Sequence, residues 1–193
     1  MKLEVVTAPS SEPITLAEAK LHLRVDFSTD DDLITSLIEA SRRRCEAAIG
    51  QAFVTTVFDW YLDRWPSTER GAYYPRITIP VAPVASVASI TYYDSTNTLQ
   101  TWSSTEYDVS TGSPGRIGVG FGYVVPNVYS RLDAFKIRFT AGYGSASAVP
   151  ANIKAAIKAD LTNLYENRGD DGGEPSPTVS ALLWGSYHGS KYA

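Results

Sequence analysis

The glycine-rich stretch at residues 142–147, Gly-Tyr-Gly-Ser-Ala-Ser, has a composition that could bind phosphate. It lies between an alternating apolar segment and a segment of helical periodicity, which is the order of phosphate-binding loops. It lacks the lysine of a Walker-type loop and does not form a G-x-G-x-x-G fingerprint. We therefore interpret Gly142, Gly144 and Pro150 as a hinge, because glycine accepts backbone angles that other residues avoid. The glycine run at residues 118–122 fails the same fingerprint and is predicted to be a mobile loop.

Other candidate chemical groups are scattered along the chain. The aspartate triplet at residues 30–32 could attract a hard cation, but negative charge at the start of a helix explains it without a metal. His22 and His188 have no neighbour at ligand spacing, and Cys45 falls on the apolar side of a predicted helix. No Ser-His-Asp order, carboxylate pair or metal-ligand cluster stands out. We predict no catalytic residue, no metal site, no cofactor and no enzymatic activity.

Three successive arginines, Arg42, Arg43 and Arg44, lie in the second half of a predicted helix, where cations interact favourably with the helix dipole. Successive positions are separated by about 100° around a helix, so the three cannot all face one partner. A solvated or interfacial basic face is favoured over a specific reader of nucleic acid.

Aromatic side chains in the middle of the chain support a rival interpretation from a different class. Such side chains can stack on sugars, although aromatic strands more often supply a core. A carbohydrate-binding β module with exposed aromatics is therefore the alternative function. Its candidate residues are Trp60, Trp65, Tyr73, Tyr74 and Trp102.

Size, composition and charge exclude several classes of protein. The 193 residues suit one domain, or one domain with a sizeable insertion, and the 44% hydrophobic content can supply a core. The net charge of −4 argues against a surface that coats nucleic acid. No apolar run is long enough to span a membrane, and one cysteine is too few for an intrachain disulfide. The N-terminal residues lack the apolar segment of a signal peptide, so we expect none. We expect a protein made in a reducing cytosol that has no membrane partner.

Helical periodicity occurs at both ends of the sequence. A short first helix begins at a capping box, Thr15–Glu18. A second follows the aspartate triplet and ends at Gly50, and a third begins at Pro150 and ends near Gly169. The apolar stripe of the second helix is predicted to comprise Leu33, Ile34, Leu37, Ile38, Ser41, Cys45, Ala48 and Ile49.

Between residues 53 and 140 the periodicity changes to that of short strands. β-Branched and aromatic segments separated by turn residues predict five to seven strands, mostly antiparallel, with a hairpin turn at residues 94–97. The predicted fold class is α+β: a small helical bundle of two N-terminal helices and a C-terminal helix, with a β-rich, mostly antiparallel insertion. The expected divisions are N-terminal helices (1–52), β-rich insertion (53–145), third bundle helix (146–169), and linker with amphipathic tail (170–193).

Four blocks of sequence together resemble the phage head–tail connector (adaptor) family. The blocks occur in the order of that family and cover nearly all of the chain, and the main departures are two long loops in the β-rich region. The blocks are ITLAEAKLHLRVD…DDDLITSLIEASRRRCEAAIGQAF, IPVAPVASVASITYYD, FTAGYG…VPANIKAAIKADLTNLYENRG and VSALLWGSY.

The resemblance implies a structural component of a virion neck, in a tailed phage, a prophage or a gene transfer agent. Similar proteins form a ring, commonly twelve-fold, beneath the portal protein, extend the DNA channel and present a surface for stopper or tail-completion proteins. Double-stranded DNA would pass through without specific binding, which suits an acidic monomer. The implied locations are the virion neck and, during assembly, the host cytoplasm. Another connector layer, such as a stopper, is the alternative within the same class.

Two sets of residues are expected to make contacts in such an assembly. At least one residue of the arginine run should pair with acidic residues of a neighbouring subunit or lie at the channel. The tail after the linker should be loosely held, because burial of its apolar side chains and the entropy of ordering it nearly cancel. We expect it to dock onto the portal or an adjacent subunit, the alternative being that it folds back on its own bundle. Its docking residues are Val179, Leu182, Leu183, Trp184 and Tyr187.

Overall fold

The computed structural model describes residues 1–66, 75–167 and 175–187, with only the backbone of Ser186 and Tyr187. The described residues form two compact units, and the chain passes between them three times. A β-rich unit contains residues 1–8 and 55–142, and a helical unit contains residues 9–54 together with the described residues from 143 onward. The predicted α+β class is confirmed. The β-rich unit differs from the expected segment, residues 53–145, chiefly because it also contains residues 1–8.

The helical unit is built around one apolar core. The core takes side chains from every helix, including Ile34 and Ile38 of the second, Ile157 and Leu161 of the third, and Val179 of the fourth. A short 3-10 turn at residues 146–148 precedes the third helix. The helices are α1 (Leu16–Leu23), α2 (Asp31–Ile49), α3 (Ala151–Asn167) and α4 (Pro177–Tyr187).

The ends of the helices follow local sequence rules. The predicted capping box is present, since Thr15 Oγ1 accepts the Glu18 amide at 3.2 Å while the Glu18 carboxylate accepts the Thr15 amide at 2.8 Å. Helix α2 ends at Gly50 in the left-handed conformation (φ 64°), as glycine allows. The carbonyl of Pro150 accepts hydrogen bonds from the amides of Ile153 and Lys154 in the first turn of α3. Pro150 therefore lies one position before the helix rather than inside it.

The apolar stripe of α2 is narrower than predicted. Ile34, Ile38, Ser41, Cys45 and Ile49 are buried at steps of three or four residues. The expected core residues Leu33 and Ala48 are exposed, because each lies about 100° around the helix from a buried neighbour.

Two antiparallel sheets form the β-rich unit. One has five strands in the order β1-β2-β8-β4-β5, and the other has three in the order β3-β7-β6. The strands are β1 (Lys2–Thr7), β2 (Thr56–Leu62), β3 (Arg76–Thr78), β4 (Val84–Tyr93), β5 (Leu99–Trp102), β6 (Tyr107–Ser110), β7 (Arg116–Val119) and β8 (Phe135–Ala141).

Sequence reasoning missed two of these strands. Residues 2–7 fall within the predicted N-terminal helical part, but they pair with β2, about fifty residues or more away in the chain. Residues 116–119 are the central strand of the three-stranded sheet, with Ile117 fully buried, and Gly118 and Val119 of this strand fall within the predicted mobile loop. The residue before this strand, Gly115, has no room for a side chain, since a Cβ there would lie 2.2 Å from a methyl group of Val84. Gly115 thus serves close packing against Val84.

Many of the aromatic side chains of the β-rich unit lie in its core. Trp65 packs edge-on against Trp102 at 5.1 Å between ring centroids and against Phe135 at 5.6 Å. The predicted hairpin turn joins β4 to β5, and Asp94 Oδ1 accepts the amides of Thr96 and Thr98. Hydrogen bonds, first that from the Thr96 hydroxyl, lower the pKa of Asp94 to about 2. None of the helices within residues 1–66, 75–167 and 175–187 is long and apolar enough to cross a membrane.

Candidate assembly surfaces

Arg42 is the most deeply buried member of the arginine run, with 5% of its surface exposed. Its Nε donates to Glu12 Oε2 at 2.7 Å, its Nη2 donates to Glu12 Oε1 at 3.2 Å, and its Nη1 donates to Glu46 Oε2 at 2.7 Å. Glu46 also accepts the amide of Phe53 at 2.8 Å. The guanidinium therefore fastens α2 to the segment before α1 and to the chain beyond Gly50.

The charges around Arg42 depend on one another. Burial alone would lower the pKa of Arg42, but the hydrogen bonds and charges of Glu12 and Glu46 outweigh burial and raise it. Burial raises the pKa of Glu46, and the Phe53 amide and the Arg42 charge offset that effect only in part. The carboxylates of Glu12 and Glu46 thus share one cation, the Arg42 guanidinium.

The other two arginines differ from Arg42 in exposure. The Arg44 side chain is mostly covered, and its Nε lies 3.6 Å from Oδ2 of Asp160, which is fully buried on α3. Arg43 is exposed and pairs only locally with Glu39, four residues earlier, at 2.6 Å. Of the run predicted to contact a neighbouring subunit, Arg43 is the member whose charge faces solvent.

The tail folds back on its own bundle through two of the five predicted docking residues. Val179 and Leu183 on α4 are buried in the core that α2 and α3 form, and Leu182 packs at its margin. The carbonyl of Leu182 also accepts a hydrogen bond from Asn152 Nδ2 on α3 at 3.0 Å. Val179 and Leu183 are therefore unavailable to a partner while α4 is docked, and the docking role of the tail stays a prediction.

Trp184 remains the docking candidate on α4. It is 50% exposed, although it directly follows the buried Leu183. The side chain of Tyr187 lies outside the described residues. The serine cap is present in weak form, since Ser176 Oγ accepts the Val179 amide at 3.4 Å.

The predicted hinge residues lie where the chain leaves the β-rich unit. Gly142 (φ 125°) and Gly144 (φ 112°) both have backbone angles that disfavour other residues. The Gly142 amide donates to the Pro83 carbonyl at 2.9 Å, and the Tyr143 amide donates to the Phe53 carbonyl at 3.1 Å. Glycine accepts these backbone angles at the passage out of the β-rich unit, and the hinge role itself stays a prediction.

The carbohydrate interpretation loses three of its five named residues. Trp60, Trp65 and Trp102 are all buried, so they cannot stack on a ligand at the surface. Tyr73 and Tyr74 lie outside the described residues. Burial in the core explains the three tryptophans without a ligand.

The metal and acid–base candidates have structural partners. Asp30 accepts the hydroxyl of Tyr165 at 2.6 Å, and Asp31 pairs with Lys20 at 2.6 Å. His22 is exposed, and His188 lies outside the described residues. No group of three or more potential metal ligands occurs in the described ranges 1–66, 75–167 and 175–187.

Cys45 is buried in the helical core, as predicted, and burial raises the pKa of its thiol to about 12 from an ordinary value of 9.0. Since the thiolate is the reactive form, we expect folded protein to react with maleimide at about pH 8 at least 100-fold more slowly than denatured protein. Mass spectrometry after timed quenching measures both rates. Equal rates in the two states would show that α2 opens readily.

Two exposed apolar surfaces were not indicated by sequence reasoning. One is the loop at residues 120–132, where Phe121 and Val124 are almost wholly exposed. The other is strand β1, whose Leu3, Val5 and Val6 are exposed. Exposed apolar side chains that are close together are typical of contact surfaces. For β1 the only available indication was the Leu-x-Val spacing, which is too short to separate from chance.

A family model described as phage gp6-like head–tail connector protein matches residues 13–113, which is more than half of the chain. The chain belongs to this family. The matched range includes α1, α2 and the strands β2 to β6. The predicted resemblance is confirmed, and the protein is a structural head–tail connector.

Solved structures resemble the connector over nearly its whole length. A chain from the neck of an empty gene transfer agent particle, computed with C6 symmetry, is 26% identical with a TM-score of 0.77, covering 95% of this chain and 94% of that one. A chain from the native gene transfer agent virion is 26% identical with a TM-score of 0.78, with the same coverage. A chain from the native particle's neck, computed with C12 symmetry, is 25% identical with a TM-score of 0.75, covering 95% and 93%. A search of curated proteins finds no match.

Proposed function

We propose that this connector forms the adaptor ring beneath the portal protein of a tailed phage, a prophage or a gene transfer agent. The observation that carries the proposal is the similarity, over 95% of the chain, to a protein in the neck of a gene transfer agent particle. In that position the ring extends the DNA channel and offers the next docking surface to a stopper or tail-completion protein. Its role is structural, with no catalytic step.

The symmetry of the similar structures supports assembly as a ring. Necks computed with C6 and with C12 symmetry imply many copies around one axis. Rotational symmetry requires head-to-tail contacts, so each copy must present two different, complementary surfaces. The net charge of −4 suits a channel through which DNA slides, because strong binding to DNA requires cations that neutralise phosphates.

Electron microscopy of the purified protein mixed with its own portal tests this function. We expect a small species alone, and rings stacked on the portal after mixing, because no long, uniformly apolar face is evident in the sequence. Assembly of this kind would occur in the host cytoplasm before the virion neck is complete. A fixed dimer or tetramer that ignores the portal would contradict the proposal.

A further inference from the structure

Strand β1 is an edge strand with little protection on either face. Five of its six residues are exposed, among them Leu3 (41%), Val5 (59%) and Val6 (45%). Strand β2 lies on one side of it, and no other strand pairs with its outer side within the described part of the chain. Unpaired edge groups beside exposed apolar side chains form a template on which another strand can add.

The pairing register shows what is uncovered at this edge. A row of directly opposed residues crosses the five-stranded sheet: Leu3, Trp60, Ile137, Ile90 and Trp102. The last four are buried, whereas Leu3 at the β1 end is substantially exposed. The apolar face of the sheet therefore extends to the β1 edge without being covered there.

The usual protections of an edge strand are weak in β1. There is no proline, and the only lysine, Lys2, pairs with Glu4 at 2.6 Å and lies over the ring of Tyr61. The one irregularity of register falls between Val5 and Thr7. A regular segment at residues 2–5 is left, and the two charges that it carries, on Lys2 and Glu4, are paired with each other.

We infer that the β1 edge of one copy pairs with the β5 edge of the next copy, so that the sheet continues from subunit to subunit. The inference rests on the proposed ring. Strand β5 is the opposite edge of the same sheet, it has four residues, and it carries the exposed Leu99. Contact between two different edges is head-to-tail, as a ring requires, whereas pairing of β1 with β1 would give a closed dimer.

Strand direction fits this arrangement. Every pair within the five-stranded sheet is antiparallel, so the first and last strands, β1 and β5, run the same way. Neighbours in a six-fold or twelve-fold ring are related by a sixth or a twelfth of a full turn, which is less than a right angle, so the sense in which a strand runs is preserved from one copy to the next. The β5 strand of one copy and the β1 strand of the next therefore pair in parallel, and the buried end of the apolar row, Trp102, approaches the exposed end, Leu3.

Cysteine cross-linking on portal-containing capsids tests the pairing. Leu3→Cys and Gln100→Cys are combined in one chain and treated with a short bismaleimide. Within a chain these positions are about 19 Å apart, four strand spacings of about 4.8 Å, so a short reagent joins only different copies. The native Cys45 is buried and does not compete. We expect a ladder of covalent oligomers from the double variant, and monomers from each single variant.

The controls separate this inference from the proposed function. Leu3→Cys combined with Val109→Cys, on the edge of the other sheet, should give no ladder. An equal ladder from that pair, dimers from Leu3→Cys alone, or no ladder from capsid-bound double variant would each overturn the β1–β5 contact. Absence of wild-type protein from the capsids would instead overturn the adaptor function, and the contact with it.

A charge variant provides an independent measurement. Val5→Lys places a cation at the exposed edge and should leave the melting temperature of the free protein unchanged, while lowering capsid occupancy at least tenfold. Leu21→Lys, at a residue that is 82% exposed in the helical unit, is the matched control and should keep full occupancy. Full occupancy by Val5→Lys would contradict the inference.

Discussion

Replacing Arg42 with alanine is expected to lower the free energy of unfolding by about 3–5 kcal/mol, the range found when one partner of a buried ion pair is removed. The guanidinium makes three hydrogen bonds to Glu12 and Glu46, and its side chain is only 7% exposed. Without it, two carboxylates would face each other in a partly buried position. The loss should therefore exceed that from removing aliphatic packing alone.

Urea unfolding followed by circular dichroism measures this effect. Arg43→Ala is the matched control, because Arg43 is exposed and should change stability by less than about 0.5 kcal/mol. Arg42→Lys keeps the charge but loses the planar fork that reaches both carboxylates, so its loss should be intermediate. Equal stability of the Arg42 and Arg43 alanine variants would show that the buried cluster contributes nothing.

The burial of Arg42 determines which arginine variant can reveal a contact between subunits. Reversing all three charges would damage folding through Arg42, so a loss of capsid joining would not reveal a subunit contact. Arg43 alone is suited to that purpose, since its only described partner is the adjacent Glu39. The prediction that the run contacts a neighbouring subunit is thus best tested with Arg43→Glu.

Local rules predicted the features that depend on nearby residues. The Thr15 capping box, the Gly50 helix end and the Asp94 hairpin each involve groups within about five residues, so their chemistry can be recognised in a short window. Strand β1 could not be recognised this way, because its partner β2 lies about fifty residues or more later. The same holds for Arg42, whose partner Glu12 is thirty residues earlier and has no sequence pattern that marks it.

The attachment of the tail depends on surfaces outside the segment itself. Sequence reasoning weighed burial of the tail's own side chains against the entropy of ordering them, and the two terms nearly cancelled. That balance leaves out two contributions. One is the surface of α2 and α3 that would be exposed to solvent without α4, and the other is the hydrogen bond from Asn152 to the Leu182 carbonyl. Both favour the docked helix. A free-energy balance that counts only the side chains of one segment therefore underestimates how strongly that segment docks on a bundle.

The docked tail leads to the second large expected effect. Leu183→Ala should lower the free energy of unfolding by about 2–5 kcal/mol, because Leu183 is 1% exposed and its truncation leaves a cavity in the helical core. Trp184→Ala, at the adjacent half-exposed position, should cost less than about 1 kcal/mol. The same unfolding measurement compares the two variants directly. A small loss for Leu183→Ala would mean that α4 is detached in solution.

Capsid occupancy then separates attachment from docking. If Trp184 anchors the tail on the portal or an adjacent subunit, Trp184→Ala should reduce occupancy while the free protein keeps its stability. Truncating a buried side chain cannot reduce occupancy and leave stability unchanged, because it weakens binding only by destabilising the fold. Full occupancy by Trp184→Ala, together with a destabilised Leu183→Ala, would assign α4 a purely internal role as the fourth helix of the bundle.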